Sequence, residues 1–250
     1  MRYFLEIAYD GTNYHGWQIQ PNAISVQQVL NDCLSTVLRE TIETIGSGRT
    51  DTGVHAEQQF VHFDVARTLN KTEACYRFNR ILPPDIAVKN IYEVLPEAHA
   101  RFDAIARTYE YRICLQNNPF LRAFSYFLGR HPNVEQLNEA ASALLNFEDF
   151  TTFSKVKGDT KHYQCQLYQA NWQLRDPDML IFTIRANRFL RGMVRLIVGT
   201  LLDVGSGKLS VAAFKEVVAS QDRRMASAAA PATGLFLIKV EYPENFLMIK

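Results

Sequence analysis

Asp51 stands in the stretch Gly46-Ser-Gly-Arg-Thr-Asp-Thr-Gly-Val-His-Ala56, among three glycines and two threonines, directly before the period-two run Gln58 to Val65. So little side-chain bulk lets a loop backbone approach something large while one carboxylate stands forward. A carboxylate so placed can act as a nucleophile or a base. Asp among Gly and Thr can also simply brace a turn through a hydrogen bond. Arginines gather at the other unusual stretches: Arg49 in the loop, Arg101 and Arg107 near the start of a strand, then Arg185, Arg188, Arg191 and Arg195.

The last group carries its own question. Apolar residues from Phe189 to Leu201 predict a long buried helix over about 188–204, on which Arg188, Arg191 and Arg195 would share one side at i, i+3 and i+7. A buried guanidinium without a partner costs several kcal/mol, so something anionic should face that stripe. For Arg188 and Arg191 a solvated face or a structural ion pair is an equal reading. Arg195, between Val194 and Leu196, expects a dry, paired setting.

Positioning these groups requires a core, and 250 residues at 47% hydrophobic can build one large or two modest domains. No apolar run approaches a membrane span, and the chain starts as a strand without the features of a signal peptide, so a cytoplasmic protein with no membrane partner is expected. Cys33, Cys75, Cys114 and Cys165 are far apart and read as reduced thiols, and the six histidines are scattered, so no metal site is expected. The net charge of +1 argues weakly against a nucleic-acid partner, because phosphate binding is strongly electrostatic, though a balanced total can hide an uneven distribution.

Strands and helices alternate along the chain. Strands are predicted over 3–9, 58–65, 86–94, 108–115, 164–174, 180–186 and 235–242. Ser25-Val-Gln-Gln28 resembles a capping box and opens a helix through Leu38, and further helices are predicted over about 72–82, from Asn133 through Leu145, and over 210–220. This is α/β (α+β) layering, in two similar sheet-and-helix halves divided as 1–103 and 104–250.

Asp10-Gly-Thr-Asn-Tyr-His-Gly-Trp-Gln-Ile-Gln20, Gly48-Arg-Thr-Asp-Thr-Gly-Val-His-Ala56, Arg107-Thr-Tyr-Glu-Tyr111, Asp149-Phe-Thr-Thr-Phe153 and Phe189-Leu-Arg-Gly-Met-Val-Arg-Leu-Ile-Val-Gly-Thr200 together resemble the tRNA pseudouridine synthase A family. The resemblance runs in order through Gly234-Leu-Phe-Leu237. It implies two RNA-recognition-like domains flanking a basic cleft, a homodimer with tRNA as partner, and isomerisation of uridine to pseudouridine at positions 38 to 40 of the anticodon stem-loop with no cofactor and no metal. By motif position Asp51 corresponds to the catalytic aspartate, Arg195 to the arginine that pairs with it, and Tyr109 to the tyrosine that stacks on the target base. Arg49 matches the residue that fills the space of the flipped nucleotide. Arg107, Arg188 and Arg191 are further candidate substrate contacts.

The chemistry fits these roles. The glycosidic bond must break, the uracil rotate, and C5 rejoin the sugar, so a reversible stabiliser is needed at the sugar or base. In a dry cleft a neighbouring cation keeps the carboxylate ionised. A stacked uridine must be flipped out, and an aromatic ring can hold it. Tyr109 could also take the C5 proton, directly or through water. Tyr111 reads as core, His55 and His62 as a loop brace and a strand residue, and Tyr14 and Trp17 as either RNA-stacking groups or packing beneath the glycine loop. Two other classes remain as alternatives: a non-catalytic tRNA-binding module, and a glycosidase, which needs a second carboxylate across the bond for which only Glu57 and Asp64 are near in sequence. The chain departs from the family pattern at Arg191-Gly192, where many members carry a histidine pair, and at Thr108 and Glu110, where basic residues are frequent. Ala228-Ala-Ala-Pro-Ala-Thr-Gly234 matches in outline only.

Overall fold

The computed structural model describes residues 1–155, 162–176, 178–244 and 246–247. The chain divides into two compact units, Met1–Ala106 with Phe236–Lys250, and Arg107–Leu235. The closing strand, which follows the second half in sequence, thus folds with the first unit from Phe236 onward. Mixed α/β content is as the alternating pattern predicts, with helices α1 to α5 and strands β1 to β9 among the described residues.

The first unit runs β1 (Arg2–Tyr9), α1 (Val26–Leu38), β2 (Ile45–Gly46), β3 (His55–Asp64), α2 (Lys71–Ile81) and β4 (Ile86–Val94). Its strands lie in the order β4-β1-β3, with short β2 on the far side of β3, and β1 is antiparallel to both neighbours. This is the split β-α-β layout. Ser25 caps α1 by accepting from the Gln28 N–H at 3.3 Å, as the capping-box spacing predicts. Leu30, Leu34, Val37 and Leu38 carry the buried stripe of α1. Cys33 of α1 reaches the Phe78 carbonyl of α2 at 3.5 Å. Pro83-Pro84 denies the next turn of α2 its donors.

Strand β3 is buried almost continuously rather than on alternate residues, because both faces are covered. Val61 and Phe63 lie opposite Leu5 and Tyr3 in the core, while Phe60 packs edge-on against Tyr242 at 5.3 Å. The final strand β9 (Leu235–Glu241) joins β3 in parallel at His55↔Phe236 and Ala56↔Leu237.

The second unit repeats the order with β5 (Ala106–Cys114), β6 (Tyr126–Phe127), α3 (Val134–Ala143), β7 (Leu167–Asp176), β8 (Met179–Ala186), α4 (Met193–Gly205) and α5 (Val211–Ala219). Its strands run β5-β8-β7, with β6 beside β5. Setting short β6 aside, β5-α3-β7-β8-α4 reproduces β1-α1-β2-β3-α2 element by element.

One expectation fails here. Helix α4 starts at Met193 behind Gly192, whose φ of 73° lies in the left-handed region, a conformation that interrupts a right-handed helix and favours glycine. Arg188 and Arg191 therefore precede the helix. They do not form an i, i+3, i+7 stripe with Arg195, and only Arg195 sits on α4.

His62, buried on β3, accepts from the Ala100 N–H through Nδ1 at 3.1 Å. Burial, then the charges of Arg2 and His99, push its pKa down to about 4 against the opposing pull of Asp64 and Asp103. A histidine in the unfolded chain titrates near about 6.5, so between the two values the unfolded state binds the extra proton. His62 contributes stability that is fully present above about pH 6.5 and is lost as the pH falls toward 4. The urea midpoint should fall between pH 7 and pH 4.5 in the parent protein, and by less in His62→Asn, which keeps an acceptor without the titrating ring.

Candidate active site

The loop that carries Asp51 is built against the exit of β1. Segment 10–17 runs beside residues 50–55 and is bonded to them repeatedly: Trp17 N–H donates to the Thr50 carbonyl at 3.2 Å, and Gly53 N–H to the Tyr14 carbonyl at 3.2 Å. The hydroxyls of Tyr9 and Thr50 lie 2.9 Å apart. Val54 N–H donates to the Asp51 carbonyl at 3.1 Å, closing a turn whose third residue, Gly53, has φ 76° and so suits glycine. Asp51 itself is half-buried and Arg49 exposed.

Contact between the two segments is so close that side chains would not fit. A Cβ on Gly11 would lie 2.0 Å from the Val54 carbonyl oxygen, and one on Gly16 2.5 Å from that of Thr50. Gly16 also has φ +85°, so it is required both for space and for conformation. Trp17 is buried against the Tyr9 ring at 6.4 Å and against Gly46, where a Cβ would meet the indole at 2.7 Å. Tyr14 is buried too, and its hydroxyl donates to Asp85 at 2.6 Å; burial and that carboxylate hold its pKa above the usual phenol range. Trp17 therefore packs against the start of the glycine loop, and Tyr14 is a buried ring tied to Asp85.

His55 is the brace its position suggests. Its Nδ1 lies 3.0 Å from Asp10 Oδ1 and 3.2 Å from the Gly11 nitrogen, and its ring stacks on Phe236 at 4.5 Å. Burial raises the Asp10 pKa, but hydrogen bonds from the hydroxyl and N–H of Thr12, with the neighbouring His55, outweigh it and leave the carboxyl below its usual range.

In the second unit, half-buried Tyr109 on β5 lies opposite Ile184 of β8 and meets Phe189 edge-on at 5.1 Å. Tyr111, two residues on, is fully buried and donates to the Pro231 carbonyl at 2.8 Å, as a core residue should. Arg107 is half-buried, and its guanidinium donates to the Asn187 carbonyl at 3.0 Å. Half-buried Arg195, in the first turn of α4, donates from Nε to the Ala230 carbonyl at 2.7 Å, and its own carbonyl accepts from the Ala230 N–H at 2.9 Å. A Cβ on Gly199 of α4 would lie 1.9 Å from the Ala228 carbonyl oxygen, so the segment before Pro231 lies directly on the helix and Gly199 is what makes room for it.

Arg188 and Arg191 flank the approach to α4. Arg188 reaches His162 Nε2 at 2.8 Å. Arg191 is exposed, and its carbonyl accepts from the Lys155 N–H at 3.2 Å. Arg185 stacks over Tyr168 at 4.8 Å. Lys155, His162 and Tyr168 join this cationic cluster without a signal in the sequence, since each is distant along the chain from the arginine it meets.

Of the two carboxylates a glycosidase could use, Asp64 is committed to Arg2 and Glu57 is exposed. Asp64 is held by a two-pronged bond from Arg2 at 2.7 and 2.9 Å, which leads the causes that lower its pKa. It closes the far end of β3, roughly 30 Å from His55 at about 3.3 Å per residue. Glu57 is exposed on β3. Among the described residues no group of three His, Cys, Asp or Glu side chains is arranged to hold a metal ion, and no helix is long and apolar enough to cross a membrane.

A family profile described as tRNA pseudouridine synthase matches residues 7–103 and 140–243. The chain belongs to the tRNA pseudouridine synthase family. It is 51% identical over 246 residues to the tRNA pseudouridine synthase A of Bacteroides thetaiotaomicron, covering 98% of this chain and 91% of that one. To the protein of the same name from Parabacteroides distasonis it is 44% identical over 250 residues, covering 100% and 99%, and to that of Bdellovibrio bacteriovorus 38% over 246 residues, covering 96% and 94%. The family match takes in the Asp51 loop, its brace and Arg195, whereas Arg107 and Tyr109 lie between the two matched ranges.

The geometry of the loop predicts a contrast between two glycines. Gly16→Ala should slow pseudouridine formation on an unmodified tRNA transcript at least about tenfold, because a displacement of about 1 Å at the reacting groups can cost ~100-fold. Gly48→Ala, whose Cβ would meet nothing within 4 Å, should stay within about threefold of the parent rate in the same assay.

Proposed function

We propose that the chain isomerises uridine to pseudouridine in tRNA, at positions 38 to 40 of the anticodon stem-loop, with Asp51 as the essential carboxylate. The observation that carries this reading is the family match across the Asp51 loop, joined to the rigid seating of that loop by backbone bonds at Thr50, Asp51 and Gly53. A carboxylate held that firmly costs little reorganisation when the reaction reaches it.

The remaining roles follow from chemistry. Arg195 supplies the cation that keeps Asp51 ionised when the site is dry. Tyr109 stacks on the extruded uracil, and Arg49, exposed on the loop, fills the space the base leaves in the stem. The N1–C1′ bond breaks, the uracil turns, and a C5–C1′ bond forms; the proton lost from C5 is balanced by one gained at N1. Arg107, Arg188 and Arg191 meet backbone phosphates. The enzyme works in the cytoplasm as a homodimer, with tRNA its partner.

Pseudouridine mapping by mass spectrometry, after incubation of an unmodified tRNA transcript with parent protein or Asp51→Asn, tests the core of this reading. Product in the anticodon stem-loop with the parent alone is expected, and product from both proteins would remove Asp51 from the chemistry. Tight tRNA binding without product from either would leave the non-catalytic binding module. Tyr109→Phe separates stacking from proton transfer: it should bind tRNA normally and turn over at least about tenfold more slowly if the hydroxyl takes the C5 proton, and full turnover would leave Tyr109 with stacking alone.

A further inference from the structure

We infer that His55, together with Asp10, is a positioning residue for the chemistry at Asp51; this rests on the reading of Asp51 as the catalytic carboxylate. His55 follows Asp51 by four residues and is almost fully buried, its side chain 2% exposed. Its Nδ1 has two neighbours with opposite demands: the Asp10 carboxylate at 3.0 Å, which can only accept, and the Gly11 N–H at 3.2 Å, which can only donate. With Nδ1 bare the ring accepts from Gly11; with a proton on Nδ1 it donates to Asp10. Either bond fastens the end of the loop to the exit of β1, through Gly11 in one state and through Asp10 in the other.

Asp10 is itself fixed. Its Oδ1 accepts from the N–H and hydroxyl of Thr12 at 2.9 and 2.5 Å, and its own N–H donates to the Asp85 carbonyl at 2.9 Å. On its other side the His55 ring lies parallel to Phe236, 18° between planes. The Asp51 loop is thus anchored at Thr50 through backbone and hydroxyl, at Gly53 through backbone, and at His55 through its ring. Backbone bonds at the first two survive any substitution at position 55, so the loop should stay folded while its downstream end gains freedom. Catalysis is sensitive to such freedom, because a reacting group must be held by a second layer of contacts.

The test compares His55→Phe, which keeps a flat ring against Phe236 but has no nitrogen, with His55→Asn, whose amide reaches the place of Nδ1 and can either accept or donate. Single-turnover pseudouridine formation with enzyme in excess gives the chemical rate, filter binding gives the tRNA Kd, and thermal melting reports the fold. His55→Phe is expected to lower the rate at least about tenfold with Kd within about twofold, and His55→Asn to recover most of that loss. Asp10→Asn, which keeps the shape, is expected to slow the same step with tRNA binding intact. Parent-like rates in His55→Phe would overturn the proposal, as would a rate loss matched by an equal loss of binding, or an Asn variant as poor as Phe. Should His55→Phe fail to fold, Asp10→Asn decides: a normal rate overturns the assignment and a reduced rate at unchanged Kd supports it. Asp51→Asn run alongside separates the two layers. If it still makes product, the reading of Asp51 falls and this proposal with it; if it is inactive while His55→Phe is normal, only the positioning role falls.

Discussion

The close approach of two backbones, residues 10–17 against residues 50–55, is the constraint on which the first unit depends. A carbonyl oxygen can be brought to the Cα of its neighbour only if that neighbour has no Cβ, and Gly11 and Gly16 meet the oxygens of Val54 and Thr50 in that way. Once the segments touch, their donors and acceptors must pair with each other, because Thr50 and Trp17 are buried and water cannot serve them. The result is a loop in name only: its backbone is tied as tightly as a strand while Asp51 stays half-exposed.

The second unit uses the same order of elements for a different purpose. Its long apolar helix α4 begins only where Gly192 takes a left-handed conformation, which leaves residues 187–192 as a turn displaying Arg188 and Arg191. The first turn of α4 then seats Arg195, whose Nε is held by the Ala230 carbonyl. Holding a guanidinium by one of its five donors orients the rest. Two units with one layout therefore differ in what they hold: a loop carboxylate seated by backbone bonds in one, and a guanidinium fixed at Nε in the other.

A net charge of +1 is compatible with a polyanionic substrate because the charge is segregated along the chain. No Asp or Glu occurs between Asp178 and Asp203, a stretch that holds Arg185, Arg188, Arg191 and Arg195. Acidic residues elsewhere balance the total but are screened over roughly 8 to 10 Å at physiological salt. Local density, more than the sum, determines what a phosphate backbone meets.

Sequence by itself determined the α/β class, most helix and strand positions, and the stretches that carry chemistry, because these rest on local matters: periodicity, the Ser25 cap, the proline stop after α2, and motifs contiguous in the chain. It also placed His55 as a brace and Tyr111 in the core. Periodicity misjudged the start of α4, since apolar residues at 189 and 190 continue a helical pattern that the backbone of Gly192 interrupts. Tertiary structure alone decided that Trp17 packs against Gly46 and Tyr14 is buried and tied to Asp85, that β9 returns to the first unit, and that His162, Lys155 and Tyr168 gather around the arginines. Each of these depends on contacts between residues far apart along the chain, whose partners no local pattern names. The glycine at 199 has the same cause: it makes sense only once the segment 228–231, much later in the chain, lies against α4.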